Sequence, residues 1–465
     1  MAYHAGSGPS PGDVSRVGDA AARDLTGRLE RLPLTRYQKR LFVIIATAWL
    51  FDSMDLAALT FVLAPISSEF ALTAWQAGML ASGSFVGMAV GASTAGALAD
   101  RFGRRPVFTT SMLCWGLASF IAAFSWDFTS LLICRFFIGF GMGAEFPVAQ
   151  SLLAEFVPSK VRGRYLGYLE GFWPLGFITC GAVSLVLVPT LGWRSLYVLL
   201  GVLSLYALYL RRSIPESVRW YVVKGRHGDA SRTLDEIEEK VATAYGQPLP
   251  PVEDVPASAE ASGRAPVMEL LGRSYRVRTV MIWTLWFCVL LGYYGITTWQ
   301  AKLLADGGMT VAKSIGFVLG TALCGIPGFL IASWLLERIG RRPTIVGFVL
   351  LSAIAAYAYG QMGTTVGLVI VGCFMQFCFF GMWSALYAYT PEIFATRFRA
   401  TGCGTASTFG RIGAVVGPLI MPTVLAAWGN GAAFAVAAVF MAIGAVTVAV
   451  LGPETRNKKL EEVSA

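Results

Sequence analysis

Six charged residues stand in stretches that are otherwise apolar: Asp52, Asp55, Arg135, Glu145, Glu170 and Arg411. A charged side chain at a bilayer centre costs about 2.5–3.5 kcal/mol on insertion scales, so each must pair with another group or face water. Static ion pairs would tie helices together. Movable ones would carry protons or hold an ionic solute, and intramembrane charges more often serve such pathways. Asp52 and Asp55 lie one helical turn apart. Two ionised carboxyls at that spacing repel, which favours proton uptake by one of them. Arg135, Gly139, Met142 and Glu145 or Phe146 follow one helical stripe. On it, Glu145 is either a proton relay or a neutral packing residue. No nucleophile–base set accompanies these groups, so they do not describe an enzyme.

The elements that must position them follow from composition. Apolar residues make up 55% of the 465 and charged residues 14%. Of the 65 charges, 21 fall in Arg211–Arg278 and 11 in Met1–Arg40, leaving too few elsewhere for a water-soluble surface. A soluble enzyme, a disordered chain and a nucleic-acid reader are excluded. Twelve apolar windows of spanning length remain. They predict an all-α membrane protein with twelve transmembrane helices in two six-helix bundles, and the bilayer as its surroundings. The expected division is a tail at 1–40, a first bundle at 41–213, a central loop at 214–278, a second bundle at 279–452 and a tail at 453–465. The eight cysteines sit in apolar stretches without a CxxC, and the two histidines, His4 and His227, lie in polar ones. Neither metal nor cofactor is expected.

Short loops on one side hold eleven Lys and Arg, among them Arg101, Arg104, Arg105, Arg162, Arg338, Arg341 and Arg399. Those on the other side hold Arg194, Lys302 and Lys313. The positive-inside rule places the first set, both termini and the central loop in the cytoplasm. Leu234, Ile237 and Val241 mark an amphipathic helix in that loop, and 247–266 reads as a flexible linker. Leu25, Leu29 and Leu32 form a stripe that suits either an interfacial helix or a frayed tail.

The chain repeats itself. Asp100–Pro106 matches Glu337–Pro343 at an offset of 237, Glu155…Arg162 matches Glu392…Arg399 at 237, and Pro215-Glu216-Ser217 matches Pro453-Glu454-Thr455 at 238. This is the parallel-repeat plan of secondary transporters, with a site between the halves. The buried charges are not repeated. At the offset, Asp52, Asp55, Arg135, Glu145 and Glu170 meet Val289, Gly292, Gly372, Met382 and Ser407. Gating elements therefore read as symmetric, and coupling chemistry as confined to the first half.

These motifs resemble the major facilitator superfamily over nearly the whole chain: the G-x-x-x-D-R-x-G-R-R loop at Gly96–Arg105, Arg135-x-x-x-Gly139-x-x-x-Gly143, and the Pro215-Glu216-Ser217 and Pro453-Glu454-Thr455 signatures. Phe51-Asp52…Asp55, Glu170…Trp173-Pro174, Gly292-Tyr293-Tyr294…Trp299 and Tyr387…Glu392 resemble the bacterial nicotinate (niacin) transporter group, related to synaptic vesicle glycoprotein 2. The resemblance implies import of a small aromatic monocarboxylate, nicotinate foremost, by proton symport with alternating access, in the inner membrane and as a monomer. Benzoate or hydroxybenzoate uptake, facilitated diffusion and a non-transporting nutrient sensor are the rival readings.

The resemblance pairs Asp55 with Arg135. About 4 kcal/mol of attraction at 4 Å and an effective dielectric near 20 keeps such a pair charged, and separation frees Asp55 for a proton. With Asp52 and Glu145 these make the proton-coupling set. For the substrate site the candidates are Glu170, Trp173, Phe177, Tyr293, Tyr294, Trp299, Gln376, Trp383, Tyr387 and Arg411. Rings suit a flat ligand, and Arg411 suits its carboxylate. Alternatively Arg411 serves a gate, and Trp299 an interfacial belt. Side-chain amides, which a sugar needs, are nearly absent from the spans. The expected cytoplasmic latch, bridging helix ends across the halves, comprises Asp100, Arg101, Arg104, Arg105, Glu155, Arg162 and Glu216 with Glu337, Arg338, Arg341, Glu392 and Arg399.

Overall fold

The computed structural model describes residues 24–25, 27–252, 267–272, 275–394 and 396–455, without the side chains of Lys160, Thr396, Arg397, Arg399 and Ala400. Most of the expected linker and the ends of both tails lie outside this range, as does the side chain of the latch candidate Arg399.

The first half contains α1 (Arg36–Glu69), α2 (Ala74–Phe102), α3 (Arg104–Ala122), α4 (Phe128–Phe156), α5 (Ser159–Leu191), and α6 (Trp193–Leu203) with α7 (Tyr206–Ser213). The segment between the halves forms α8 (Val218–Val223), α9 (His227–Tyr245) and α10 (Val267–Leu270). The second half contains α11 (Arg276–Asp306), α12 (Val311–Leu323) with α13 (Gly325–Arg338), α14 (Arg341–Gly360), α15 (Thr365–Glu392) and α16 (Thr396–Leu451). Among the described residues, nine helices are long and apolar enough to cross a membrane, with α6–α7 and α12–α13 each forming one of them. In α16 the backbone turns at Gly429, where φ is 78°, so that helix is two spans. Helices α2 and α3, 29 and 19 residues long, complete the twelve.

Local sequence explains the starts. Thr35 with Gln38, Thr73 with Gln76 and Asp127 with Ser130 form reciprocal capping boxes at α1, α2 and α4. Small residues explain the packing. A Cβ added at Gly139 of α4 would stand 1.9 Å from the Ser84 carbonyl oxygen, and one at Gly143 would stand 2.2 Å from that of Met88. The Arg135…Gly139…Gly143 motif thus lays α4 directly on α2, as small-residue helix pairs do in membranes, and Arg135 projects into the bundle one turn away.

The face carrying the Asp100 and Glu337 loops is called the basic face here. Several contacts between the halves lie toward the ends of α2 and α16 opposite this face. Ser82 Oγ donates to the Val415 carbonyl at 2.7 Å, Phe85 and Tyr294 rings meet at 4.4 Å, and Gly78 abuts the Pro418 carbonyl.

The N-terminal stripe is neither frayed nor interfacial. Leu25, Leu29 and Leu32 are buried, as are Leu234, Ile237 and Val241 of α9. Arg28 pairs with Asp235 and Glu238, Arg31 pairs with Glu238, and Glu30 accepts from Arg162 and Arg219. Two amphipathic segments satisfy one another, so neither leaves an apolar stripe for the bilayer surface.

Candidate functional site

The buried charges of the first half form one cluster. Asp55 and Arg135, 0% and 1% exposed, approach to 3.9 Å. Ser119 Oγ donates to the other Asp55 oxygen. Asp52 and Glu145 are also wholly buried. Their carboxyls are neighbours, and Trp115 Nε1 donates to Glu145 Oε2 at 3.0 Å. Asp52 is therefore shielded from solvent. Helix geometry explains the grouping: Asp52 and Asp55 share a face of α1, while Arg135 and Glu145 lie ten residues apart on α4, nearly three turns at 3.6 residues per turn.

A narrow cavity lies between the halves, with about 450 Å³ of empty space when the open solvent at its mouth is included. Arg135, Trp173, Phe177, Tyr293 and Tyr294 line it, with Phe85 and the hydroxyls of Ser53, Thr60, Thr297 and Thr298. Ser53 Oγ donates to the Trp173 carbonyl at 2.6 Å, which holds α5 against α1 beside the cavity.

Toward the basic face the walls become aromatic. On the first half, Trp49, Phe146 and Trp173 pack with ring centroids 4.8–6.1 Å apart. On the second, Tyr293 and Tyr294 meet Trp383 edge-on, and Trp383 stacks on Tyr387 at 5.7 Å and 24°. Tyr387 is 40% exposed and stands within electrostatic reach of Glu170, Tyr294 and Arg411. Arg411 crosses from α16 to the first half. Its guanidinium lies over the Phe146 ring at 5.5 Å and donates to Met88 Sδ at 3.3 Å. Among the described residues no carboxylate lies within ion-pair distance of it. Glu170 accepts from Gln150 Nε2 at 2.8 Å.

The structure thus brings eight of the ten expected substrate residues to the inter-half space. Gln376 is instead buried inside the second half, donating to Gln300 at 3.4 Å. Trp299 is 2% exposed and faces Leu303, Met421, Leu425 and Phe434, so it is neither a cavity residue nor an interfacial belt. Trp49, Gln150 and the Thr297–Thr298 pair were not among the expected site residues, nor was Phe146, which the sequence placed only on the Arg135 stripe. Two adjacent hydroxyls inside an apolar span were the available signal for the last.

The loop motifs close within each half. Arg104 pairs with Glu155, and the backbone N–H groups of Arg104 and Arg105 donate to Glu216 Oε1 at 2.9 and 3.2 Å. Arg341 pairs with Glu392 at 3.0 Å, and the N–H groups of Arg341 and Arg342 donate to Glu454 at 2.9 and 3.0 Å. Among the described residues, these latch pairs run within a half and not across the halves. Glu216 and Glu454 cap the helix starts, where carboxylates are favoured. Gly103 and Gly340, at φ of 104° and 109°, let the chain turn against those carboxylates. Asp100, Arg101, Glu337 and Arg338 are exposed, with Arg101 over Phe102 and Arg338 over Trp334.

Comparison with known proteins follows this geometry. The family model described as sugar (and other) transporter matches residues 45–465. The niacin transporter NiaP of Acinetobacter baylyi is 35% identical over 95% of this chain and 99% of its own. The 4-hydroxybenzoate transporter PcaK of Pseudomonas putida is 31% identical over 85% and 88%. The partially occluded inward-open structure of the xylose transporter XylE from E. coli superposes with a TM-score of 0.72 at 16% identity, covering 91% of this chain and 99% of that one. At that identity the likeness speaks for the fold.

Proposed function

The chain belongs to the sugar (and other) transporter family, and from that premise we propose that it imports nicotinate, or a close aromatic monocarboxylate, together with a proton. The observation that carries this reading is Arg411. A guanidinium between the halves, ringed by Phe146, Tyr294 and Tyr387 and facing no carboxylate among the described residues, suits an anionic flat ligand. A buried anion needs such a donor, since an unpaired charge in a low dielectric is costly. Aromatic walls supply offset and edge contacts.

Proton coupling is supported by charge count. Three carboxyls, Asp52, Asp55 and Glu145, are buried with one guanidinium, Arg135, which Asp55 faces. Neutrality of that cluster requires two protons, so at least one carboxyl works as a proton carrier when Asp55 and Arg135 part. The basic face is cytoplasmic by the positive-inside rule, which puts both termini inside and the protein in the bacterial inner membrane. Contacts between the halves on the far side correspond to an inward-facing state. One copy contains both halves, so a monomer supplies the whole path.

The test is uptake of labelled nicotinate into proteoliposomes with and without an inward proton gradient. Accumulation above equilibrium with the gradient is expected. No uptake, with glucose carried instead, would overturn the proposal. The relative named for 4-hydroxybenzoate favours a second reading, a benzoate-type acid, and the same assay compares the two directly.

A further inference from the structure

Resting on the aromatic-acid reading above, we propose that Glu170 is the specificity-determining residue that reads a ring nitrogen, so that the site selects a pyridine carboxylate over a benzene carboxylate.

The geometry begins on α4. Phe146 and Gln150 are four residues apart and share one face of that helix. Arg411 lies on the Phe146 ring, and Glu170 is held by the Gln150 amide. Arg411 and Glu170 thus rest against side chains one turn apart on α4. Trp383 and Tyr387 repeat the same one-turn spacing on the opposite wall, stacked at 5.7 Å. Tyr387 is within reach of both charged groups. The inter-half space therefore has an anion donor and a carboxyl that both reach Tyr387, with flat rings on both walls.

The hydrogen-bond capacities are specific. Gln150 donates to one Glu170 oxygen, Oε1. The other oxygen has no hydrogen bond to a described residue, and Glu170 is half-buried, within electrostatic reach of Tyr387 on the other half. A ring nitrogen placed there shares a single proton with this oxygen. Either a neutral carboxyl donates to the nitrogen, or a carboxylate accepts from the protonated ring. A benzene C–H in that place gives neither bond and leaves the carboxyl unsatisfied, which a partly desolvated polar group tolerates poorly. A rigid ring keeps its carboxylate and nitrogen at one separation, so moving the nitrogen around the ring breaks one of the two contacts.

The experiment is competition against labelled nicotinate binding to the purified full-length protein by unlabelled nicotinate, benzoate and pyridine-2-carboxylate. Expected for the wild type is about tenfold or more tighter binding of nicotinate than of the other two, the size of one hydrogen bond to a charged group. Glu170→Leu reduces nicotinate affinity at least about tenfold more than benzoate affinity, and Glu170→Gln, which keeps a donor, retains part of the preference. Equal loss of both acids in Glu170→Leu, or an unchanged ratio, overturns the proposal and assigns Glu170 a packing role. Equal wild-type affinity for nicotinate and benzoate overturns it too, while leaving the aromatic-acid reading intact. Binding of none of the three overturns both.

Discussion

Asp55 and Arg135 face one another at 3.9 Å, buried, and without a hydrogen bond between them. At that distance about 4 kcal/mol of attraction remains at an effective dielectric near 20, yet no directional bond has to break when the helices move. Ser119 holds the far oxygen of Asp55, so the carboxyl keeps its place as Arg135 leaves. Asp55→Asn preserves shape and the Ser119 contact but cannot ionise. Gradient-driven accumulation should vanish in this variant, while exchange of labelled for unlabelled substrate persists. Undiminished accumulation in proteoliposomes would remove Asp55 from the coupling step.

Arg411 gives a second expectation. Hydrogen bonds to charged groups contribute about 1.5–3 kcal/mol, so Arg411→Ala should weaken nicotinate binding about ten- to a hundredfold. Arg411→Lys keeps the charge but loses the planar fork and should fall between. Titration calorimetry on the purified variants measures this. A substrate affinity that does not change would assign the guanidinium to packing against Phe146.

The small-residue contact of α2 and α4 can be tested by stability alone. Gly139→Ala places a methyl against the Ser84 carbonyl, and overpacking of this kind costs roughly 1–3 kcal/mol. Gly163, whose added Cβ would meet nothing within 4 Å, is the control. The detergent-solubilised Tm of Gly139→Ala should drop and that of Gly163→Ala should stay near the parent. Equal values would mean that α4 shifts away from α2 at little cost.

What could be read from the chain alone divides along physical lines. Apolar window length, the 237-residue offset and the Arg135…Gly139…Gly143 spacing each act locally or by repetition, and they carried the bundle and its symmetry. The loop partners were half legible. Charge pairing identified Glu155 and Glu216, but whether Arg104 reaches within its own half or across depends on the conformational state. Trp299 and Gln376 show where helical periodicity fails: in α11 and α15 nearly every face is apolar, so nothing in the sequence says which one meets the cavity. The Leu25–Leu32 stripe and α9 complement each other across more than 200 residues of sequence, and an apolar stripe does not name its partner.

That last pairing yields a pH prediction. Burial pushes the Glu238 carboxyl up, but hydrogen bonds from Arg28 and Arg31, and their charges, outweigh it and leave the group below its ordinary value of 4.5. A lowered folded-state value means that the ionised form stabilises docking of the N-terminal segment. This contribution is complete above pH of about 4.5 and is lost as pH falls through the folded value. Hydrogen–deuterium exchange of residues 27–34, corrected for intrinsic rates, should therefore be slow at pH 7 and faster toward pH 4. Glu238→Gln should show the faster exchange already at pH 7, because its neutral amide no longer holds two arginines. The remaining ties, Arg28 to Asp235 and Glu30 to Arg162 and Arg219, set the residual protection. Unchanged protection in Glu238→Gln would mean that the buried leucines and the other ion pairs hold the segment without Glu238.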